Sequence, residues 1–98
     1  MTTEIIGSGS SITVKISGRL DAVTAPEADR IICEQAEMTD SLTLDLKELE
    51  YISSAGLRIL LSAQKKMQKK GKMKLVNVNE NVMKVLEMTG FADILEIE

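Results

Sequence analysis

The chain has no histidine and no tryptophan, one cysteine (Cys33), one proline (Pro26) and only two aromatic side chains, Tyr51 and Phe91. Each scarcity removes a class of chemistry. Without histidine a serine or cysteine nucleophile lacks its usual general base, and no lysine is singled out by spacing to replace it. Cys33 cannot form an internal disulfide and has no histidine with which to build a zinc site. It follows Ile31 and Ile32 in a helical pattern, where a small apolar thiol packs well. Two aromatics provide no stacking platform for single-stranded nucleic acid. No apolar run approaches the ~18 residues of a spanning helix. Met1-Thr2-Thr3-Glu4 lacks the basic and apolar parts of a secretory signal. The expected setting is the cytoplasm, without membrane insertion.

The chemistry-bearing motifs are equally thin. Gly7-Ser8-Gly9-Ser10 lacks the Gly-Lys-Ser/Thr ending of a phosphate-binding loop. Asp21, Asp45 and Glu48 are scattered acids that read as solvated surface, not as a metal cluster. No enzymatic activity, cofactor or metal is expected. A small enzyme on an unrelated α/β fold would need a pocket of convergent polar groups that the sequence does not reveal.

What remains describes one globular domain spanning residues 1–98. With 44% hydrophobic and 28% charged residues the chain can build a single core, and a formal charge of −3 gives no reason to bind nucleic acid directly. Ile12, Val14 and Ile16 alternate with Thr13, Lys15 and Ser17, the period-two signature of a strand, and Ile5-Ile6 supplies a short hairpin partner across Gly7 to Ser10. Thr24-Ala25-Pro26-Glu27 opens a helix whose apolar side carries Ala28, Ile31, Ile32 and Ala36. Leu42, Leu44 and Leu46 form the next strand. A second helix carries Leu57, Leu60, Leu61 and Met67 to about Lys70, with Gly71 as its stop. Met73, Leu75 and Val78 suggest another strand. Asn79 or Asn81 caps a third helix bearing Val82, Val85, Leu86 and Met88, Gly90 ends it, and a last strand lies around Ile94 to Ile97. The alternation implies parallel strands with right-handed crossovers after an initial hairpin, with helices on one or both faces. Lys65, Lys66, Lys69, Lys70, Lys72 and Lys74 gather at the end of the second helix, where its dipole and solvation accommodate them. Met67, Met83 and Met88 read as core or groove fillers.

The most informative stretch joins the third strand to the second helix: Tyr51-Ile52-Ser53-Ser54-Ala55-Gly56-Leu57. A serine here can cap the helix, stabilising it by ~1 kcal/mol. It can also present its hydroxyl for phosphorylation, which adds a charge of about −1.5 to −2. The first N–H groups of a helix and its macrodipole welcome either. Gly56, in the first turn, permits close packing or keeps the neighbouring serine accessible.

Taken with Leu44-Asp45-Leu46 and Lys47-Glu48-Leu49-Glu50, this stretch resembles the core signature of STAS domains, particularly bacterial anti-sigma factor antagonists. Gly18-Arg19-Leu20-Asp21-Ala22-Val23-Thr24 is similar to the family's Gly-x-Leu-Asp-x-x-Thr segment. Val85-Leu86-Glu87-Met88-Thr89-Gly90-Phe91 with Ile94 resembles its closing helix, glycine and strand. The resemblance implies a mixed sheet of four to five strands with about three helices packed mainly on one face. It also implies a regulator of transcription that binds an anti-sigma factor with serine kinase activity and is reset by a serine phosphatase. Phosphorylated members commonly read Asp-Ser-Ser-Gly or Asp-Ser-Thr-Gly, and the acceptor serine after the aspartate falls on Ser54. Here Ser53 replaces the aspartate and becomes a rival acceptor, while Ala55 replaces the second hydroxyl. The partner-binding residues implied are Asp21, Ser53, Ser54, Gly56 and Arg58; Asp21 reads equally as a turn-forming aspartate. A constitutive STAS subunit of a membrane lipid-transport or other transporter complex is the alternative.

Overall fold

The computed structural model describes residues 1–98. β1 (Thr2–Ser8) and β2 (Ser11–Leu20) form an antiparallel hairpin through Gly9-Ser10, with Ser8 opposite Ser11 and Thr2 opposite Ser17. There follow α1 (Ala25–Met38), β3 (Ser41–Asp45), β4 (Leu49–Ile52), α2 (Ser54–Gln68), β5 (Lys72–Val76) and α3 (Glu80–Thr89), then a 3-10 turn over Phe91–Asp93. The sheet order is β1-β2-β3-β5, and β4 pairs with the far end of β2. Every pairing except β1 with β2 is parallel. The sheet is therefore mixed, as expected, with five strands and three helices.

Strand alternation decides where the core lies. Ile12, Val14 and Ile16 of β2, Leu42 and Leu44 of β3, and Met73 and Leu75 of β5 share one face and are buried. Ala28, Ile32 and Ala36 of α1 and Leu57, Leu60, Ala63 and Met67 of α2 join them in one cluster. Each fully buried leucine or isoleucine there contributes about 1.5–3 kcal/mol. The opposite face carries Thr13, Lys15, Ser17, Asp45 and Lys74, all only partly buried. One face of the sheet is helix-covered and the other is wet, the usual division for a sheet with an antiparallel edge.

Several expectations need correction. β4 was not anticipated: its four residues are buried only at Leu49 and Ile52, so no alternation marks it. The last strand is reduced to a single parallel bridge between Leu75 and Ile97, because Gly90 in the left-handed region (φ 82°) leads into the 3-10 turn and Ile94, expected to open the strand, still has helical torsions (φ −96°, ψ −36°). β5 stops at Val76, short of Val78, since Asn77 adopts φ 56°. Asn79, not Asn81, caps α3: its Oδ1 accepts from the Val82 amide at 3.0 Å, and its Nδ2 donates to the Leu49 carbonyl at 2.6 Å. Met88 lies off the inward stripe of Val82, Val85 and Leu86 and is 86% exposed.

Two details at the far end of α2 also differ. Gly71 does not end the helix through a left-handed conformation; a Cβ there would be driven into the Asp40 carbonyl oxygen, so the position demands closeness and not special torsions. Lys70 reaches across to α1, where its ammonium donates to the carbonyls of Ala36 (2.8 Å) and Glu37 (3.1 Å). The helix dipole that it satisfies belongs to α1, not to its own helix.

Candidate functional site

The site is built where β2 and β4 end and α2 begins. The Ser53 amide donates to the Leu20 carbonyl at 2.9 Å, which ties the junction to the last residue of β2. Ser53 has extended torsions (φ −98°, ψ 178°), its carbonyl accepts the Leu57 amide at 2.9 Å, and its Oγ accepts from the Gly56 amide at 3.4 Å. Ser53 is therefore the N-cap of α2. Ser54 is the first helical residue, is exposed, and its hydroxyl makes no hydrogen bond within the chain. Of the two serines, Ser53 takes the capping role and Ser54 keeps a hydroxyl with no hydrogen bond in the chain.

Gly56 is buried because α2 begins pressed against the sheet. A Cβ on it would lie 2.7 Å from Ile52 Cγ1, 2.8 Å from the Leu20 carbonyl oxygen and 2.9 Å from Leu20 Cγ. Between its two readings, close packing is the one the geometry supports. Arg58 is exposed one turn beyond Ser54, on the same side of the helix. No acidic residue occupies the first turn of α2, so nothing in the helix offsets the partial positive charge of its N-terminus.

Asp21 lies in the next segment, held by local bonds. Its Oδ1 accepts from the amides of Val23 (3.0 Å) and Thr24 (3.2 Å), while the Thr24 hydroxyl accepts the Asp21 amide at 3.0 Å and donates to the Arg19 carbonyl at 2.9 Å. Thr24 thus braces the turn and does not cap α1, which has no side-chain cap. The Asp21 carboxyl is held below the ordinary aspartate range, chiefly by the Thr24 amide and with further help from the Val23 amide and the Arg19 charge, against the opposing pull of desolvation. Its second oxygen faces Arg19 Nε at 3.6 Å. Arg19 is a cross-strand partner of Tyr51, and its guanidinium lies 4.3 Å from the ring centroid.

The structure thus brings Ser53, Ser54, Gly56 and Asp21 to one pole, with Arg58 beside them. Arg19 and Tyr51 belong to the same neighbourhood and were missed, because their proximity depends on the unanticipated β4. Asp21, Asp45 and Glu48 do not converge. Asp45 bonds the Lys47 amide (3.1 Å) and Asn77 (3.1 Å), and no group of three His, Cys, Asp or Glu is arranged to hold a metal ion. Cys33 is half-buried, its Sγ donates to Asp29 Oδ1 at 3.4 Å, and burial first and the Asp29 hydrogen bond second push its thiol up from the usual cysteine range, away from reactivity. Two surface recesses exist, of about 260 Å³ between Val78 and Glu87 and about 230 Å³ around Tyr51 and Val85. Neither includes Ser53, Ser54 or Asp21. No helix is long and apolar enough to cross a membrane.

Comparison with known proteins agrees with this geometry. Residues 2–98 match the STAS domain family. An anti-sigma-B factor antagonist of Bacillus subtilis is 32% identical over 89 residues, covering 90% of this chain and 82% of that one. The crystal structure of an anti-sigma factor antagonist from Mycobacterium paratuberculosis superposes with a TM-score of 0.87 at 27% identity, covering 98% of this chain and 83% of that one. The fold is also shared, at 19% identity and a TM-score of 0.74, by a sulfate transporter family protein from Wolinella succinogenes, over 87% of this chain and 73% of that one. Matched along nearly its whole length, with a mixed sheet and helices arranged as in a solved antagonist, this chain belongs to the STAS domain family and is similar to bacterial anti-sigma factor antagonists.

Proposed function

We propose that the protein is a phosphorylation-controlled binding module. Unmodified, it holds a cytoplasmic anti-sigma factor with serine kinase activity and so frees a sigma factor; that kinase transfers phosphate from ATP to Ser54, and a serine phosphatase restores the binding form. The observation that carries this reading is the division of labour at the junction: Ser53 is engaged as the N-cap, while the exposed Ser54 hydroxyl is unbonded. Phosphate on Ser54 would sit at the N-terminus of α2, where the dipole accommodates negative charge without disturbing the fold. Phosphate on Ser53 would instead be carried by the oxygen that already accepts from the Gly56 amide as the cap of α2.

The docking surface in this reading is the pole formed by Asp21, Ser53, Ser54, Gly56 and Arg58. A phosphate placed there puts about −1.5 to −2 of charge in a contact that was complementary without it. Disrupting a desolvated contact costs a few kcal/mol, and each ~1.4 kcal/mol lowers affinity tenfold. The test is to titrate the candidate kinase partner with wild type, Ser54→Ala and Ser54→Asp. Alanine is expected to bind as the unmodified protein does, even after incubation with ATP, and aspartate to bind poorly. Equal binding by all three, with no response to ATP, would favour a constitutive subunit such as one serving a transporter.

A further inference from the structure

We propose that Arg58 holds the phosphate carried by Ser54 in an ion pair within the first turns of α2, so that modification fixes this guanidinium as well as adding charge. The inference rests on Ser54 being the modified residue. It begins with the way a helix aims its side chains. Cα–Cβ bonds tilt toward the N-terminus, so a side chain lies over the turn that precedes its own residue. Arg58 follows Ser54 by four residues and both are exposed. An acidic group placed N-terminal to a base at this spacing is the favourable order.

Arg58 has no other anion to serve. The ion pairs of the chain join Arg19 to Asp21, Arg30 to Glu34 and Lys74 to Glu98, and Arg30 is the only arginine whose side chain makes a hydrogen bond. The residues three and four places from Arg58 along α2 are Ser54, Ala55, Leu61 and Ser62, none of them acidic. The first turn holds no acid, and the N-cap, Ser53, is uncharged. A cation this near the positive end of the macrodipole is unfavourably placed. Neither charge is offset within α2 until an anion arrives. Phosphoserine supplies about −1.5 to −2 of charge and three acceptor oxygens, and the planar fork of an arginine can meet two of them at once. Arg19 does not compete for this place, since it is engaged by Asp21 at 3.6 Å and by the Tyr51 ring at 4.3 Å. The switch then acts twice: the docking pole gains an anion and loses a free guanidinium in the same event.

Phosphoserine installed at position 54 of the whole chain by genetic encoding tests this without a kinase, so the result is independent of whether an enzyme modifies Ser54. Phosphorus NMR titration reads the second ionisation of the phosphate. A guanidinium beside it favours the dianion, so the ionisation constant is expected to be about twofold larger in the wild-type background than with Arg58→Gln. Lys65→Gln removes an exposed charge about two turns beyond Arg58 and is expected to leave the constant unchanged. Equal constants for wild type and Arg58→Gln, or a fall that Lys65→Gln reproduces, would overturn the assignment.

Discussion

Gly56 lies so close to Leu20 that a Cβ at position 56 would approach the Leu20 carbonyl oxygen to 2.8 Å and Leu20 Cγ to 2.9 Å. The same carbonyl accepts the Ser53 amide. One peptide group therefore fixes both the start of α2 and its distance from the sheet.

From this closeness, Gly56→Ala should destabilise the fold. Alanine favours a helix interior by about 1 kcal/mol over glycine, but backbone and packed side chains would have to move, which costs about 1–3 kcal/mol. A chemical denaturation series should give a net loss of up to about 2 kcal/mol with an unchanged denaturant slope. A gain in stability would show that α2 can lift away from the sheet freely.

The two serines should behave differently when each is replaced. Ser53→Ala removes the capping oxygen and is expected to cost ~1 kcal/mol. Ser54→Ala removes an exposed, unbonded hydroxyl and should lie within about 0.5 kcal/mol of wild type. Thermal or denaturant unfolding of the pair checks the contrast; equal losses would contradict the division of roles.

Asn79 secures α3 at both ends of its amide, through Val82 and Leu49. Asn79→Ala should therefore cost more than Ser53→Ala, about 2 kcal/mol, since a cap and a part-buried carbonyl both lose a partner. Amide exchange in α3 is the direct readout, with protection falling there before it falls in β2.

Asp21 gives the fold an acid-sensitive turn. Its folded-state carboxyl titrates below the ordinary aspartate range, so the unfolded chain takes up the proton first as pH falls. The turn's contribution is complete above the ordinary aspartate value and is lost as pH drops through the lower, folded-state value. Stability measured across that acid range should fall less steeply for Asp21→Asn, whose amide oxygen can still accept from Val23 and Thr24 but carries no titrating proton. Identical acid limbs for the two proteins would remove Asp21 from the account.

The sequence made part of this site legible. Period-two stretches at Ile12 to Ile16 and Leu42 to Leu46, and the change to helical spacing after Gly56, located the junction to within a residue. The split between Ser53 and Ser54 was not legible, because either serine satisfies the same local pattern and only the bond from Ser53 to Leu20 sets which one begins the helix. Nor were Arg19 and Tyr51, whose approach comes from β4 pairing with β2 far along the chain. Lys70 was visible only as one of six lysines; its bonds to the end of α1 depend on how two helices pack. Local signals report local structure, and these features are tertiary.

The proposed switch rests on the Ser54 hydroxyl being the group that accepts phosphate. Incubating the protein with a candidate anti-sigma factor kinase and ATP, then mapping the modified residue by mass spectrometry, tests this most directly. Phosphate on Ser54, with partner affinity lowered at least tenfold and the fold intact, is the predicted result. Phosphate confined to Ser53, or none at all with a kinase that binds the protein, would contradict it.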